Sequence, residues 1–217
     1  MIKENLQRVK GQISDVCARI NINPDKIIVI CVTKGRSIAQ IQEAINLGLI
    51  NIGENKVQEA QEKRKQISGV KWHMIGHLQS NKVKDAVEIF DLIHSVDSVS
   101  LACEIDKQAA KINKVQSVLL EVKTSLETTK FGFTPQVLAE ASGQIAKLKN
   151  INIQGLMTIA PAVSNPQEAA VYFALLRQLR DQLNPQWCLS MGMSDDFQVA
   201  IEEGADMIRV GRAIFSR

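Results

Sequence analysis

The chain has 217 residues, enough for one domain of ordinary size whose core needs no disulfide or metal to hold it together. Hydrophobic residues make up 45% of the sequence and charged residues 23%, a balance typical of globular proteins that excludes a disordered or fibrous chain. The 26 Lys and Arg residues barely outnumber the 23 Asp and Glu residues, so the net charge predicts no attraction to nucleic acid or to a membrane surface.

The cysteines and the apolar runs indicate the compartment. The four cysteines form no Cys-x-x-Cys pair, and no secretory signal follows Met1. The longest apolar runs are far shorter than the roughly 20 residues that a membrane-spanning helix requires. We therefore expect a reduced, cytoplasmic protein that does not cross a membrane.

Two patterns near the start of the chain indicate the fold class. Apolar residues recur every three or four positions over residues 2–20, which predicts an amphipathic helix. Residues 26–33 (KIIVICVT) then form a continuous run of mostly β-branched apolar residues, typical of a strand covered on both faces in a parallel sheet. A helix followed by a buried strand favours an α/β fold.

Strand and helix patterns alternate from there to the end of the chain. Ser37 predicts the N-cap of the next helix, and Gly48 lies where a left-handed residue would end it. Later helices are predicted to begin at Thr134-Pro135 and Asn165-Pro166, because proline fits the first helical turn. Further strands are predicted at residues 49–53, 72–76, 92–96, 115–122, 153–159, 187–191 and 206–210.

These patterns give eight predicted strands separated by helices, and the N-terminal helix supplies the outer helix that would otherwise be missing. Eight such units predict a (β/α)8 TIM barrel, with an open doubly wound sheet as the competing topology. No Gly-x-Gly-x-x-Gly motif follows the first strand, so the usual dinucleotide fingerprint is absent. No linker divides the sequence, and we expect one domain over residues 1–217.

The active site of a TIM barrel is built from residues that follow the strands, so polar residues at those positions are candidates. Lys34 comes directly after the first apolar run. A lysine in a loop is usually only a solvated surface residue. At the rim of a barrel, however, desolvation lets a lysine amine lose its proton and form a Schiff base with a carbonyl compound.

Two further candidates follow the second and third predicted strands. Asn55 offers a polar side chain to a ligand, or alternatively caps the next helix. His77 is suited to acid–base chemistry near neutral pH. His73 lies four residues earlier, but in a strand context the two histidines share no helical face, so we expect no metal site.

The last two predicted strands end in glycine-containing loops that are suited to phosphate. The seventh strand is followed by Gly192 and Ser194, although the serine could alternatively only cap the next helix. The eighth strand contains Arg209 and is followed by Gly211 and Arg212. Loops after strands seven and eight of TIM barrels often bind phosphate through backbone N–H groups. A lysine opposite such a loop is typical of a pyridoxal phosphate site.

Six motifs along the chain also carry a family resemblance. They are VTK at 32–34, NIGENKVQE at 51–59, WHMIGHLQSNK at 72–82, GLM at 155–157, LSMGMSDD at 189–196 and RVG at 209–211. In this order they resemble the motifs of the pyridoxal-phosphate-binding homeostasis proteins, single-domain relatives of the alanine racemase N-terminal barrel. The resemblance extends from the first predicted strand to the last.

The resemblance implies a barrel that holds pyridoxal 5'-phosphate as a Schiff base on Lys34, with Arg209 facing the pyridine nitrogen. The other residues that it implies are Ser194, Gly211 and Arg212 for the phosphate, Asn55 and Met157 for the ring, and His77 as a neighbour of the site. Many relatives have a small hydroxyl residue where this chain has Arg212. Only a backbone N–H contact to phosphate would survive that difference.

Members of this family resemble carriers or regulators of the cofactor pool. The resemblance therefore implies a monomer for cofactor homeostasis and delivery, with apo-forms of pyridoxal phosphate enzymes as partners and no catalytic residues. A charged arginine beside the pyridine nitrogen also opposes its protonation, which makes the ring a poor electron sink. Alanine racemases use a second domain besides, for which 217 residues leave no room.

Two alternatives from other classes stay open. One is a monomeric pyridoxal-phosphate-dependent amino-acid racemase or lyase with Lys34 and His77 as its two bases. The other is a cofactor-free phosphosugar barrel with Glu54 and His77 as the acid–base pair. The basic run Lys63-Arg64-Lys65 is interpreted as a solvated helix face, and not as a nucleic-acid site, because no aromatic residues interleave with it.

Overall fold

Short parallel strands alternate with helices in this computed structural model, which describes residues 1–125, 127 and 131–216. The first half of the chain contains α1 (Ile2–Arg19), β1 (Ile28–Val32), α2 (Ile38–Asn46), β2 (Asn51–Glu54), α3 (Val57–Arg64), β3 (Lys71–Met74), α4 (Val83–Ile89) and β4 (Leu92–Val96). The second half contains α5 (Val99–Lys111), β5 (Gln116–Glu121), α6 (Pro135–Ile145), β6 (Ile151–Met157), α7 (Ala170–Leu183), β7 (Cys188–Ser190), α8 (Phe197–Glu202), β8 (Met207–Val210) and α9 (Arg212–Phe215). Short 3-10 helices lie at Pro24–Lys26, Ser80–Lys82 and Pro166–Ala169.

The strands close into a barrel. They pair in sequence order, every pair is parallel, and β8 pairs with β1, where Ile30 lies beside Arg209. The prediction of a TIM barrel is confirmed, and the competing open sheet is wrong. As expected, α1 completes the outer layer, because it packs against α2, α8 and α9. The Asn5 side-chain amide on α1 donates to the carbonyl oxygens of Ile214 and Ser216, at 3.0 and 2.8 Å, and so connects the two ends of the described chain.

Strand side chains divide between two cores. The outer core lies between the strands and the helices and includes Ile52 and Ile93. The inner core fills the barrel itself, and its buried members are Ile30, Ile75, Leu92, Leu119, Met157 and Met207. Because successive strand residues point to opposite faces, the position of a residue relative to these inner side chains decides whether it reaches the barrel axis.

The local signals in the sequence predicted most element ends well. The Ser37 hydroxyl oxygen accepts the N–H of Gln40, and the Gln40 side-chain oxygen accepts the N–H of Ser37, so α2 begins with a capping box. Gly48 has φ +93° and ends α2 as expected. Observed strand ends differ from the predicted ones by at most two residues, because the apolar runs are offset from the hydrogen-bonded ladder. Within the described ranges, no helix has both the length and the apolar character needed to span a bilayer.

Candidate cofactor site at the barrel mouth

The inner core shows which residues reach the carboxyl ends of the strands, which we call the mouth. In β1, Val32 packs on the inner core, and Lys34 lies two residues further on, in the turn that follows the strand. In β8, Met207 belongs to the inner core, so the alternation continues to Arg209 and Gly211. The structure therefore brings these three predicted site residues to the same end of the barrel.

Three other predicted residues follow the same rule. Met157 is itself a buried member of the inner core at the end of β6. His77 follows Ile75 by two positions, and Asn55 likewise follows Gly53, which borders Ile75 inside the barrel. These residues, far apart in sequence, therefore lie at the carboxyl ends of their strands, at the same end of the barrel.

The end of β1, just before Lys34, lies beside the loop that follows β8. The Lys34 side chain is exposed, on a turn where Gly35 has φ +68°. A Cβ atom on Gly211 would lie only 3.1 Å from the Cβ atom and the carbonyl oxygen of Val32. Glycine at this position therefore lets the backbone segments after β1 and β8 approach each other closely.

The loops after β7 and β8 bring two backbone N–H groups to one oxygen atom. Ser194 Oγ accepts from the N–H groups of Gly211 and Ala213, at 3.4 and 3.2 Å. These distances are long for N–H···O bonds, so both donors are only weakly satisfied. A phosphate oxygen at this point would accept stronger, charge-assisted hydrogen bonds, and this donor set fits a phosphate group.

The position of Ser194 corrects one expectation about helix capping. Ser194 does not cap α8, which directly follows its loop. Its hydroxyl oxygen instead accepts the N–H of Ala213 in the first turn of α9. In the loop before α8, the Asp196 carboxylate accepts the N–H of Met193 at 2.6 Å. Gly192 has φ +90°, and a Cβ atom there would lie 2.5 Å from that of Ala200, so only glycine permits this turn.

Arg209 lies under the mouth with 3% of its surface exposed. Its Nη1 donates to Ser190 Oγ and its Nη2 to the carbonyl oxygen of Thr158, both at 2.7 Å. Burial lowers the pKa of Arg209 to about 10, while the negative charges of Glu121 and Asp196 oppose that decrease. The guanidinium is therefore still charged at neutral pH.

A chain of hydrogen bonds anchors Arg209 through the barrel interior. Ser190 Oγ lies 2.9 Å from His94 Nδ1, His94 Nε2 lies 3.0 Å from His73 Nδ1, and His73 Nε2 lies 3.1 Å from Asn51 Oδ1. Burial lowers the pKa of His94 well below its ordinary value and that of His73 to about 4, so both rings are neutral. Arginine only donates hydrogen bonds, so Ser190 Oγ accepts from Arg209. Every hydrogen bond is then satisfied if Ser190 donates to His94, His94 donates to His73, and His73 donates to Asn51.

Sequence reasoning missed two acidic residues at the mouth. His77 Nδ1 lies 3.2 Å from an Asp97 carboxylate oxygen, and its ring stacks on Phe131 with centroids 3.6 Å apart. Glu121 is 7% exposed, and its Oε2 finds no hydrogen-bond partner among the described residues. Burial raises the pKa of Glu121 to about 7, Asp97 adds to this, and Arg209 opposes it. The inward position of Glu121 at the end of β5 was a signal that could have found it.

Arg212 and Asn55 flank the mouth in two separate cavities. The Arg212 side chain is exposed, pairs with Asp195 and borders a cavity of about 480 Å³. Only its backbone N–H is at the start of α9, next to the Gly211 N–H. Asn55 lines the other cavity, also about 480 Å³, together with His77. A Cβ atom on Gly76 would lie 2.5 Å from the Asn55 carbonyl oxygen, so glycine there admits the Asn55 backbone.

The residues Glu54 and Lys63 contradict two expectations. Glu54 is fully buried on the outer side of β2, where its Oε1 accepts from Lys63 Nζ on α3 at 2.6 Å. It is therefore turned away from His77, and the acid–base pair suggested for a cofactor-free barrel is wrong. The Lys63 side chain is only 7% exposed, so the basic run 63–65 is not solvated throughout. Over residues 1–125, 127 and 131–216, no three His, Cys, Asp or Glu side chains are grouped to hold a metal ion.

The sequence matches the alanine racemase N-terminal domain family over residues 3–216, which agrees with the barrel described above. The chain is 42% identical over 219 residues to the pyridoxal phosphate homeostasis protein of Aquifex aeolicus, covering 98% of this chain and 96% of that protein. The structure of PipY from Synechococcus elongatus with pyridoxal phosphate bound is 37% identical, with a TM-score of 0.86 and complete coverage of both chains. The chain therefore belongs to the pyridoxal phosphate homeostasis protein family.

A more distant comparison concerns the fold alone. An alanine racemase of Clostridium difficile has a TM-score of 0.80 at 13% identity, and the match covers all of this chain and 56% of that one. The shared part is the barrel, which agrees with the closed ring of eight parallel strands described above.

Proposed function

We propose that this chain binds pyridoxal 5'-phosphate at the barrel mouth as a Schiff base on Lys34 and serves in cofactor homeostasis and delivery. One observation carries the proposal: a lysine two residues beyond the inward Val32, a buried arginine and two weakly satisfied backbone N–H groups lie at the same end of the barrel. The names of the relatives support the same cofactor. In this proposal residues 1–217 act as one domain, as a cytoplasmic monomer.

Each part of the cofactor has a counterpart among the residues present. When bound, the cofactor supplies an aldehyde that reacts with an amine. The Lys34 amine would hold it through that aldehyde as a C=N bond, with loss of water. The proposed partners of the other groups are Arg209 for the pyridine nitrogen, the N–H groups of Gly211, Arg212 and Ala213 with Ser194 for the phosphate, Asn55 and Met157 for the ring, and His77 at the periphery.

The proposal includes little catalysis by the protein itself. The Arg209 charge persists at neutral pH and opposes protonation of a ring nitrogen beside it. The ring then takes up little negative charge from a bound amino acid. We accordingly assign no catalytic residues, and we expect apo-forms of pyridoxal phosphate enzymes as partners and neither nucleic acid nor membranes.

Chemical trapping tests the proposed attachment site. Borohydride reduction of the loaded protein followed by peptide mapping should place the label on Lys34. Lys34→Ala should abolish labelling and keep the fold, because the side chain is exposed. Lys26→Ala is the matched control, since Lys26 is exposed at the opposite end of β1. Label on another lysine, with Lys34 unmodified, would refute the assignment.

Transfer to an acceptor tests delivery separately. The loaded protein is mixed with an apo-form of a pyridoxal phosphate enzyme, and the activity that the acceptor regains is followed with time. Delivery predicts that the acceptor drains the cofactor faster than spontaneous release into buffer. Equal rates would mean that the protein only stores the cofactor.

A racemase or lyase is the second candidate function, and the acid–base groups at the mouth favour it. His77 is paired with Asp97, and the raised pKa of Glu121, about 7, suits proton transfer near neutral pH. The decisive measurement is α-deuterium exchange across a panel of amino acids. We expect exchange far below enzyme turnover, which is commonly about 1 to 1,000 per second. Robust turnover that vanishes in Lys34→Ala would make the enzyme candidate correct.

A further inference from the structure

A charged cluster between β2 and α3, which we call the clamp, consists of the buried Glu54 and Lys63 and the partly exposed Glu59. The ammonium nitrogen of Lys63 lies 2.6 Å from Glu54 Oε1, 2.7 Å from Glu59 Oε1 and 2.6 Å from the carbonyl oxygen of Thr33. An ammonium group has three N–H donors, so these contacts use all of them. One of the three N–H groups donates to the backbone carbonyl of Thr33, the residue directly before Lys34.

The clamp also holds the backbone on the other side of Lys34. The Gly35 N–H donates to Glu59 Oε1 at 2.6 Å, and the Thr33 hydroxyl donates to Glu54 Oε1. The carbonyl of Thr33 and the N–H of Gly35 belong to the two planar peptide groups that flank the Lys34 Cα atom. Fixing both planes fixes φ and ψ of Lys34, and with them the direction of its Cα–Cβ bond.

We propose that Lys63, acting through the clamp, is a positioning residue for Lys34 that directs its amine towards the mouth before the cofactor arrives. The inference rests on the proposed function, because it concerns the Schiff base on Lys34. The Lys34 side chain is exposed, so its alignment comes from the backbone. Without the clamp, the backbone around Lys34 would be free and would have to become ordered when the Schiff base forms. Ordering one residue corresponds to about a tenfold decrease in the equilibrium constant for Schiff-base formation.

Two ligands separate positioning from general damage to the site. Pyridoxal 5'-phosphate reacts with Lys34, whereas pyridoxine 5'-phosphate has an alcohol in place of the aldehyde and forms no Schiff base. Lys63→Met should weaken pyridoxal phosphate about tenfold and leave pyridoxine phosphate within about twofold. Lys65→Met is the matched control, since Lys65 pairs with Glu62 on the exposed face of the same helix. The control should change neither affinity, and Lys63→Arg should restore part of the lost selectivity.

A smaller change keeps the test decisive if Lys63→Met does not fold. Glu59 is 28% exposed, so Glu59→Ala releases the Gly35 N–H with little risk to the core. It should also weaken pyridoxal phosphate selectively. Equal loss of both ligands, or no loss of either, in whichever of these variants folds would overturn the positioning role. Borohydride mapping of the wild type is read separately: label away from Lys34 refutes the proposed function, whereas label on Lys34 with unchanged variant affinities refutes only the clamp.

Discussion

Glu121→Gln should make the protein more stable, and increasingly so as the pH rises. Glu121 is buried at the mouth, and one of its oxygens has no hydrogen-bond partner among the described residues. Burial raises its pKa from 4.5 to about 7. Between these values the unfolded chain loses the proton while the folded protein keeps it, so the free energy of unfolding falls as the pH rises and levels off above about 7.

The size of the effect follows from the same two values. The interval from 4.5 to about 7, at about 1.4 kcal/mol for each pH unit, corresponds to about 3 kcal/mol of lost stability. Glutamine has a similar shape and does not ionise, so the variant avoids this loss. Its advantage over the wild type should be about 1 kcal/mol near pH 5 and about 3 kcal/mol near pH 8.

Urea unfolding of the cofactor-free protein, at intervals from about pH 5 to about pH 8, measures this difference. Glu88→Gln is the control, because Glu88 is exposed on α4 and its substitution should give a small effect at every pH. A stability difference between Glu121→Gln and the wild type that stays constant with pH would refute the reasoning. It would mean that the Glu121 carboxyl ionises alike in the folded and unfolded chain.

Three further substitutions test packing and binding. Gly211→Val should weaken pyridoxal phosphate much more than unphosphorylated pyridoxal in titrations, because it crowds the proposed phosphate donors. Gly155→Ala should lower the free energy of unfolding by more than about 3 kcal/mol, since its Cβ would lie 1.9 Å from a carbonyl oxygen of β7, whereas Gly143→Ala meets nothing within 4 Å and should be harmless. Ser190→Ala should cost about 1–3 kcal/mol in urea unfolding, because it leaves the buried Arg209 short of an acceptor.

Local patterns in the sequence were enough to predict the barrel and to propose which end of it holds the site. Lys34 directly follows one apolar run and Arg209 lies near the end of another, so their places at the carboxyl ends of strands can be predicted from the sequence. Helix starts at Ser37 and Pro135 depend on a residue and its nearest neighbours alone. Features of this kind need no knowledge of the rest of the fold.

Features that depend on barrel closure could not be predicted in this way. His94 and Ser190 are 96 positions apart and meet only across the closed interior. Lys63 belongs to a basic run that suggests a solvated face, yet it is buried because the outward Glu54 on β2 lies within reach of α3. Ser194 caps a helix that begins after the following strand. Each of these depends on which elements become neighbours in space.

The expectation of weak catalysis depends on charge and not on a missing base. Burial raises the pKa of Glu121 to about 7, which suits this carboxyl group to proton transfer at the mouth, where His77 also lies beside Asp97. The buried Arg209, with a pKa of about 10, is charged throughout the neutral range and, in the proposed complex, opposes protonation of the ring nitrogen. A further base would therefore not help, whereas Arg209→Glu would favour that protonation and let the ring take up more charge from the α-carbon. At saturating cofactor, α-deuterium exchange should rise above the wild-type rate in Arg209→Glu, and an unchanged or lower rate would locate the limit in proton transfer instead.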